Sequence, residues 1–253
     1  MSFSILINKM YRKILGKDKM GQLKLTSLEK KIYNEGERLI PGVTHDMSEV
    51  IRHTSSYEFF RMVIENDLPL IEKTQELGTI HVIDLGCGVG HGCYTLAKLQ
   101  KLNITGVDVS QESLEYARCH YSKDNISYQQ KDLTHFIPEM PIYDYIVSRG
   151  VLEHIPNGLQ LALSSKWRYR LLFDVPYDEA EGPNRHHQII GIREEHFSSF
   201  PNAELFFQDL AGVIYDMKNK PAKSNMIMCV CSHPDLPKVS SLNIEFPLPA
   251  WHP

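Results

Sequence analysis

Short apolar runs alternate with helical patterns through the middle of the chain. The runs have the length of buried strands and lie at residues 79–84, 103–108, 126–130, 143–148 and 170–175. Stretches of helical character separate most of them, the clearest at residues 110–122 and 158–166. Because such alternation is typical of β-α-β units, it predicts an α/β fold with a doubly wound, mostly parallel sheet.

The flanks of this region follow a different pattern. Apolar residues recur at helical spacing over 27–39 and 47–68, and a further short helix is predicted at 69–77. After the alternation, strand-like runs follow one another without helices between them, which predicts an antiparallel edge. These runs lie at 203–208, 211–215 and 226–231.

These patterns divide the chain into three predicted parts. Residues 1–78 form an N-terminal helical cap, and residues 79–231 form the sheet domain. The last part, residues 232–253, contains five prolines and is expected to be an extended tail. The length of 253 residues suits one large domain with such additions.

Composition narrows the classes of protein to which the chain can belong. Its 27 basic and 31 acidic side chains give a net charge of −4, which argues against a nucleic-acid partner. Five cysteines at irregular spacing, without a C-x-x-C pair, argue against a disulfide framework and a structural zinc site. No apolar run approaches the ~18 residues of a membrane-spanning helix. We therefore expect a soluble, cytoplasmic protein.

The first 19 residues combine apolar and basic side chains. Five basic residues, among them Lys9 and Arg12, are accompanied by one acid, Asp18. The basic residues follow the apolar stretch and no small-residue cleavage site is present, so a signal peptide is not predicted. An amphipathic helix on an anionic membrane surface is one interpretation. We favour the other, a helix packed on the chain's own core.

The strongest chemical signal is a glycine-rich turn at the end of the first strand. It reads D-L-G-C-G-V-G from Asp84 to Gly90. Its glycines let the backbone turn sharply and let a ligand approach main-chain N–H groups. Dinucleotide dehydrogenases use similar turns, but a carboxylate at Asp84 repels a pyrophosphate and attracts a cationic amino group. The turn therefore favours a cofactor with a methionine moiety over a dinucleotide.

Acidic residues also end the next two strands. Asp108 follows the second strand and Asp132 the third, each 24 residues after the preceding acid. At these places Asp108 can accept hydrogen bonds from both ribose hydroxyls of an adenosine, and Asp132 from the adenine amino group. Leu133 N–H can donate to a ring nitrogen. A helix N-cap or a solvated turn would explain one such acid, but three at successive strand ends favour a nucleoside site.

Taken in order, these motifs resemble the class I S-adenosylmethionine-dependent methyltransferases. The resemblance covers about residues 79–176, and it extends to K-D-L at 131–133 and to Y-D-Y-I-V-S-R-G-V-L-E-H-I at 143–155. It implies a seven-stranded sheet whose last strand is antiparallel. It also implies S-adenosyl-L-methionine as cofactor and S-adenosyl-L-homocysteine as product. The positions that it assigns to cofactor binding are Asp84, Gly86, Gly88, Asp108 and Asp132.

Further residues are predicted to complete the cofactor site. Cys87, Val109 and Ser148 are neighbours of the positions just named. Tyr57 and Arg52 lie on the N-terminal helices, which in this fold often close over the cofactor. Tyr57 is expected to stack over the methionine end and Arg52 to meet the methionine carboxylate. Simple helix packing explains both residues equally well.

The flanking sequence resembles a narrower group, the methyltransferases of bacterial capsule and surface-polysaccharide gene clusters. The matching stretches are E-R-L-I-P-G-V-T-H-D at 37–46, R-H-T-S-S-Y at 52–57, F-D-V-P-Y at 173–177 and N-R-H-H at 184–187. Some of that group serve the O-methyl phosphoramidate decoration of capsules. The resemblance implies O-methylation of a sugar or phosphoramidate intermediate, a small molecule or glycan precursor.

Basic residues gather where the acceptor should enter, at the carboxyl ends of the fourth and fifth strands. Those predicted to hold an anionic acceptor are Arg149, Arg185, His186 and His187. His154 is a candidate general base, although packing under the cofactor would also explain it. The loop at 185–187 has a second explanation as a solvated loop.

Other functions remain open at this point. An N-methyltransferase of a small amine predicts an acidic or aromatic acceptor pocket. The many polar groups at the acceptor edge argue against a non-catalytic S-adenosylmethionine-binding module, and Asp84 argues against an oxidoreductase. Asp174, Asp178 and His186 do not have a recognised metal-ligand spacing, so no metal site is predicted.

Overall fold

The computed structural model describes residues 25–35, 38–43, 47–74, 78–182, 184 and 186–252. The basic N-terminal stretch and Arg185 therefore lie outside the described residues. Among the residues described, two helices precede the sheet, α1 (Ser27–Asn34) and α2 (Met47–Thr74). Within the described ranges, no helix has both the length and the apolar character needed to cross a lipid bilayer.

The centre of the described fold is a single eight-stranded sheet. Its strands are β1 (Ile80–Leu85), β2 (Leu102–Asp108), β3 (Ile126–Gln130), β4 (Tyr143–Arg149), β5 (Trp167–Pro176), β6 (Ala203–Gln208), β7 (Ile214–Asp216) and β8 (Met226–Ser232). They are arranged in the order β3-β2-β1-β4-β5-β8-β6-β7. The first five run parallel, and the β5–β8, β8–β6 and β6–β7 pairs are antiparallel. The mostly parallel α/β sheet and its antiparallel edge are therefore confirmed.

Helices join the parallel strands. They are α3 (His91–Leu96), α4 (Gln111–His120), α5 (Leu133–Glu139) and α6 (Gly158–Leu163), with 3-10 turns at Leu152–His154, Glu194–Phe197 and Val239–Ser241. A side chain caps the start of α4, where Ser110 accepts a hydrogen bond from Ser113 N at 3.1 Å. Strand order reverses between β1 and β4, and a sheet of this kind opens a crevice at that point, outside the carboxyl ends of its strands.

The sheet has one strand more than the seven that the resemblance implied. The added strand is β7, which pairs with the end of β6 at the edge of the sheet. The Asp209 carboxylate accepts hydrogen bonds from Ala211 N and Val213 N, at 2.9 and 3.0 Å, and Gly212 adopts a φ of 92°. This tight turn folds the chain back along β6. The expectation of seven strands is therefore wrong, and the difference is this short edge hairpin.

Successive residues of the strands pack against opposite layers of helices. Val82 of β1 belongs to a cluster with Phe60 of α2, whereas Ile83 belongs to a second cluster with Ile137 of α5 and Leu159 of α6. Because successive side chains of a strand point to opposite faces, the two clusters lie on the two faces of the sheet. Both faces are therefore covered, as a parallel sheet requires.

Helix α2 continues through Pro69, where the sequence predicted a break. Proline costs about 3 kcal/mol inside a helix. Leu68 and Ile71 on either side of it are buried in the cluster with Phe60. Burial of each such side chain contributes about 1.5–3 kcal/mol, which is enough to offset the proline.

The residues after β8 pack on the same face of the sheet as α2. Val239, Ile244 and Leu248 are buried in the cluster that contains Phe60. Trp251 N donates a hydrogen bond to Ser55 Oγ at 2.9 Å. The division into residues 1–78, 79–231 and 232–253, and the role of the first part as a cap, stay predictions.

A buried ion pair ties α2 to the middle of the sheet. The guanidinium of Arg170 on β5 donates two hydrogen bonds of 2.7 Å to the carboxylate of Asp67 on α2, and both side chains are fully buried. The Tyr145 hydroxyl donates to the same carboxylate at 3.1 Å. The guanidinium also donates to Ser232 Oγ and to Pro237 O. Every oxygen of Asp67 is thus hydrogen-bonded.

Candidate active site

The glycine turn begins where β1 ends. Gly86 N and Cys87 N donate to Val107 O at 2.8 and 2.9 Å, which holds the turn against β2. Gly86 has a φ of 75°, and a Cβ there would lie 2.4 Å from a methyl carbon of Val151. A Cβ on Gly88, at a φ of 52°, would meet no atom within 4 Å. Gly86 is therefore required by close packing, whereas Gly88 borders open space that a ligand can enter.

Asp108 at the end of β2 is held by main-chain donors. Its Oδ2 accepts from Gly88 N and its Oδ1 from Ser110 N, both at 2.9 Å. Arg38 Nη2, from the segment after α1, lies 3.5 Å from Oδ1. The carboxylate is thus fixed in orientation beside the glycine turn, with unused lone pairs for a ligand's hydroxyl groups.

A cleft of about 480 Å³ opens beside the turn. Ten of the predicted site residues line it: Gly86, Cys87, Gly88, Asp108, Val109, Asp132, Leu133, Arg149, His154 and His186. The predicted residues that do not line it are Asp84, Ser148, Tyr57, Arg52 and His187. The structure therefore brings most of the predicted residues together along one surface, of a size suited to a small ligand.

One end of the cleft lies over β2 and β3. Asp132 caps helix α5 and accepts hydrogen bonds from Thr134 N at 2.9 Å and Thr134 Oγ1 at 2.6 Å. The hydrogen bond from the Thr134 hydroxyl lowers the pKa of Asp132. Val109, 58 % exposed, and Leu133 provide apolar surface on the same side. Asp132 thus serves as the N-cap that the sequence offered as its alternative, and it also lines the cleft.

Asp84 is buried behind the turn rather than on the wall of the cleft. Its carboxylate accepts a hydrogen bond from Tyr57 OH at 3.1 Å and one from Cys93 Sγ at 3.2 Å. Burial raises the pKa of Asp84 to about 7, against the opposing effect of those two hydrogen bonds. Tyr57 also packs on Gly92, where a Cβ would lie 2.0 Å from its ring. Tyr57 therefore connects α2 to the glycine turn from behind.

Arg52 and Ser148 are also engaged away from the cleft. The Arg52 guanidinium pairs with Glu49 and donates to Leu210 O at 3.0 Å. Ser148 Oγ donates to Leu85 O at 2.9 Å within the sheet. These contacts place Arg52 between α2 and the β6–β7 turn, and Ser148 between β4 and β1.

Arg149 stands at the other end of the cleft, on the last position of β4. Its guanidinium lies 3.9 Å from Asp174 Oδ2 and 4.0 Å from Glu49 Oε1. Its Nε is buried and has no hydrogen-bond partner, and neither has Asp174 Oδ2. A ligand atom that accepts a hydrogen bond from Arg149 would satisfy a donor that the described chain leaves unpaired.

The turn after β4 meets the loop after β5 at this end. His154 Nδ1 lies 3.2 Å from His186 O, and the His154 and His187 rings are in edge contact with centroids 4.7 Å apart. His187 Nδ1 contacts the Glu179 carboxylate, and His187 does not line the cleft. Histidines 154 and 186 are thus brought to the cleft wall, and His187 stands directly behind them.

Three residues of the cleft wall, Arg38, Glu35 and His91, were not predicted from the sequence. His53, on the helices expected to close over the cofactor, also lines the cleft, and Glu153, a candidate for the acceptor end, is buried. Burial raises the pKa of the Glu153 carboxyl to about 8 and lowers that of His91 to about 4. Glu153 had a signal in the sequence, since it stands beside His154 in the V-L-E-H-I stretch.

The chain matches known methyltransferases over its central part. Residues 82–171 match the family model described as "Methyltransferase domain". The ubiquinone biosynthesis O-methyltransferase of Coxiella burnetii is 35% identical over 92 residues, which cover 36% of this chain and 39% of that protein. The enzyme of the same name from Glaesserella parasuis is 34% identical over 102 residues, 38% of this chain and 43% of that protein. The chain thus spans less than half the length of these curated relatives.

A solved structure resembles the chain over most of its length. The N-terminal domain of EvdMO1, crystallised in the presence of SAH and D-fucose, has a TM-score of 0.53 and 13% sequence identity. The alignment covers 92% of this chain and 97% of that domain. The two proteins therefore share a fold. Residues 82–171 thus match a methyltransferase domain, and this match supports S-adenosylmethionine as the cofactor.

Proposed function

We propose that the protein transfers the methyl group of S-adenosylmethionine to an oxygen of a small anionic acceptor. The placement of the carboxylates along the cleft carries this proposal. The carboxylates that line it in the described chain, Glu35, Asp108 and Asp132, lie on the side of β2 and β3. Arg149, His154 and His186 line the side of β4.

The acidic end suits the nucleoside of the cofactor. Carboxylates at the ends of β2 and β3 accept hydrogen bonds from ribose hydroxyls and an adenine amino group, and Val109 and Leu133 give the base an apolar surface. When bound, S-adenosylmethionine supplies a methyl group on a positively charged sulfur with a neutral leaving group. The chain's own contribution is to position the acceptor and exclude water.

The other end suits an acceptor that carries negative charge. Among the described residues, its wall contains no carboxylate, since Asp174, Glu49 and Glu153 lie behind it. An N-methyltransferase of an amine would need an acidic or aromatic wall here. An anionic oxygen is already a nucleophile and needs no general base, which leaves Arg149 to orient it through charge-assisted hydrogen bonds.

A sugar or phosphoramidate intermediate of bacterial surface polysaccharide is the acceptor that we propose. The resemblance of the flanking sequence to capsule-cluster methyltransferases supports it. The names of the curated relatives support oxygen as the methylated atom. Cys87, Cys93, Cys119, Cys229 and Cys231 are free thiols, which supports a reducing cytoplasm.

A panel of acceptors with methyl-labelled S-adenosylmethionine tests the proposal. Inorganic phosphoramidate, a nucleoside-diphosphate-linked sugar, a neutral sugar and ethanolamine are incubated with the full chain. We expect label on the oxygen of a phosphoramidate or a phosphorylated sugar and none on ethanolamine. Methylation of the amine alone would overturn the proposal. A rate that climbs with pH and is abolished by His154→Ala would replace it with a hydroxyl acceptor and base catalysis.

Arg149→Met should raise the acceptor KM by at least about tenfold, because a charged partner of an anionic oxygen is worth about 1.5–3 kcal/mol. The acceptor KM of Arg149→Lys should lie between those of this variant and the wild type, because lysine keeps the positive charge but lacks the planar guanidinium. S-adenosylhomocysteine binding should not change in either. The control is Arg168→Met, which removes an exposed arginine paired with Asp144 outside the cleft. An unchanged KM in Arg149→Met would show that Arg149 does not touch the acceptor.

Asp108→Ala should weaken S-adenosylhomocysteine binding at least tenfold. The substitution removes the acceptor for a pair of ribose hydroxyls, at a cost of about 1–3 kcal/mol. Calorimetry measures the change. Asp144→Ala is the control, because Asp144 is buried to the same extent as Asp108 but lies at the opposite end of the sheet, where it accepts a hydrogen bond from His81 N. Equal affinity of Asp108→Ala and wild type would remove Asp108 from the cofactor site.

A further inference from the structure

We propose that Glu153, His154 and His187 form a binding site for one divalent transition-metal ion at the acceptor end of the cleft. One candidate ligand atom from each residue lies within 4.8 Å of the other two. Glu153 and His154 belong to the 3-10 turn after β4, and His187 to the loop after β5. The site differs from the grouping of Asp174, Asp178 and His186 that the sequence offered, and from the expectation of no metal.

The two imidazole rings are oriented as metal-binding histidines are. His154 Nδ1 faces the carbonyl oxygen of His186 at 3.2 Å, and His187 Nδ1 contacts the Glu179 carboxylate. Since a carbonyl and a carboxylate oxygen accept hydrogen bonds, each Nδ1 carries the proton and each Nε2 a lone pair. A metal-ligating histidine is commonly fixed in this way, by a carboxylate or a backbone carbonyl on its other nitrogen.

The His187 Nε2 contact agrees with this tautomer. Asn184 Nδ2 lies 2.9 Å from that nitrogen, and an amide N–H donates only to an atom with a lone pair. Asn184 Oδ1 in turn accepts from His186 N at 2.9 Å. The amide therefore occupies the position at Nε2 that a metal ion would take, and metal binding would displace it.

Glu153 is the carboxylate ligand of the proposed site, and its burial favours a bound cation. Its side chain is 2 % exposed, and its Oε2 is buried without a hydrogen-bond partner. Burial of an unpaired carboxylate oxygen is costly, and a bound cation offsets that cost. The Glu153 main-chain oxygen accepts from Gln188 N and Ile189 N at 2.7 and 3.1 Å, which fixes the loop of His187 against Glu153.

The donor set selects the class of ion. Two imidazole nitrogens and one carboxylate oxygen suit Zn²⁺, Mn²⁺ or Fe²⁺, whereas Mg²⁺ and Ca²⁺ prefer oxygen ligands throughout. Three protein ligands leave coordination positions open. His154 also lines the cleft, so the site borders its acceptor end. The role that follows, attachment of an anionic acceptor oxygen, rests on the function proposed above.

Metal titration of the full chain tests the site directly. The protein is treated with a chelator and titrated with Mn²⁺, followed by the electron paramagnetic resonance of the free ion, and with Zn²⁺ and Mg²⁺ by calorimetry. We expect one Mn²⁺ or Zn²⁺ per chain and much weaker binding of Mg²⁺. Glu153→Gln and His187→Gln should each weaken binding at least tenfold, and Glu179→Gln should weaken it through His187. His233→Gln is the matched control, since His233 is an exposed histidine 3.5 Å from a carboxylate, Asp235.

Two further measurements keep the outcomes distinct. Binding of S-adenosylhomocysteine and the far-ultraviolet circular dichroism spectrum should be unchanged in the variants, which separates loss of the site from loss of the fold. Failure of the wild type to bind Mn²⁺ or Zn²⁺ up to about 1 mM would overturn the proposal, as would equal binding by His187→Gln and His233→Gln. If metal binds as expected but no anionic acceptor is methylated, the proposed function fails and the site stands. If the chelated protein methylates such an acceptor at the full rate, the role of the ion in acceptor attachment fails.

Discussion

Asp67→Ala should lower the free energy of unfolding by about 3–5 kcal/mol. The substitution leaves the guanidinium of Arg170 fully buried without its carboxylate, and it also removes the acceptor of the Tyr145 hydroxyl. Bonds from the guanidinium to Ser232 and Pro237 persist but carry no negative charge. Chemical denaturation followed by circular dichroism measures the change.

The control for this prediction lies on the same helix. Glu65→Ala removes the exposed partner of Arg61, an ion pair one turn apart in α2. An exposed pair contributes about 0–1 kcal/mol, so this variant should unfold almost as the wild type does. If Asp67→Ala and Glu65→Ala lose comparable free energies of unfolding, burial adds nothing to the cost of breaking an ion pair. Asp67→Asn removes the charge and one of the two acceptor oxygens while it keeps the volume of the side chain.

The second large effect is a dependence of stability on pH that originates at Asp84. Its pKa in the folded chain is about 7, raised from an ordinary value of 3.8. The folded state therefore binds the proton more tightly than the unfolded state, and stability falls as pH rises from about 4 to about 7. A shift of that size corresponds to about 4 kcal/mol at full effect. The contribution of Asp84 to the stability of the folded chain is therefore largest below about pH 4.

Asp84→Asn isolates this contribution. The amide oxygen still accepts from Tyr57 OH, but position 84 no longer titrates. The free energies of unfolding of the two proteins are measured without cofactor from pH 4 to pH 8. The stability of the variant relative to that of the wild type should increase as pH rises. Other groups, Glu153 among them, titrate in both proteins and cancel in the difference. Parallel curves would show that Asp84 is not desolvated in the folded chain.

Most of the fold could be predicted because strands buried on both faces appear in the sequence as continuous apolar runs. The predicted and observed bounds of the strands that became β3 and β6 coincide, and those of the others differ by up to three residues. The course of α2 could not be predicted this way, because it passes through Pro69, where tertiary packing outweighs local preference.

The site could be predicted where its residues follow strands. Asp108 and Asp132 come to the cleft because the carboxyl ends of parallel strands meet at one edge. Arg38 could not be predicted, since it reaches Asp108 across 70 positions of the chain from a segment without periodic pattern. The position of Asp84 on its strand was predicted, but the direction of its side chain was not. The side chain lies where Tyr57 OH donates to it and not on the cleft wall.

The residues at positions 57 and 92 therefore constrain each other's substitution. The ring of Tyr57 occupies the space that a side chain at position 92 would need, and its hydroxyl closes over Asp84. A larger residue at 92 requires a smaller one at 57, and a smaller residue at 57 leaves the buried Asp84 without one of its two donors. Change at either position therefore has to pass through a less stable intermediate sequence. Across related sequences, the two positions should vary together or not at all.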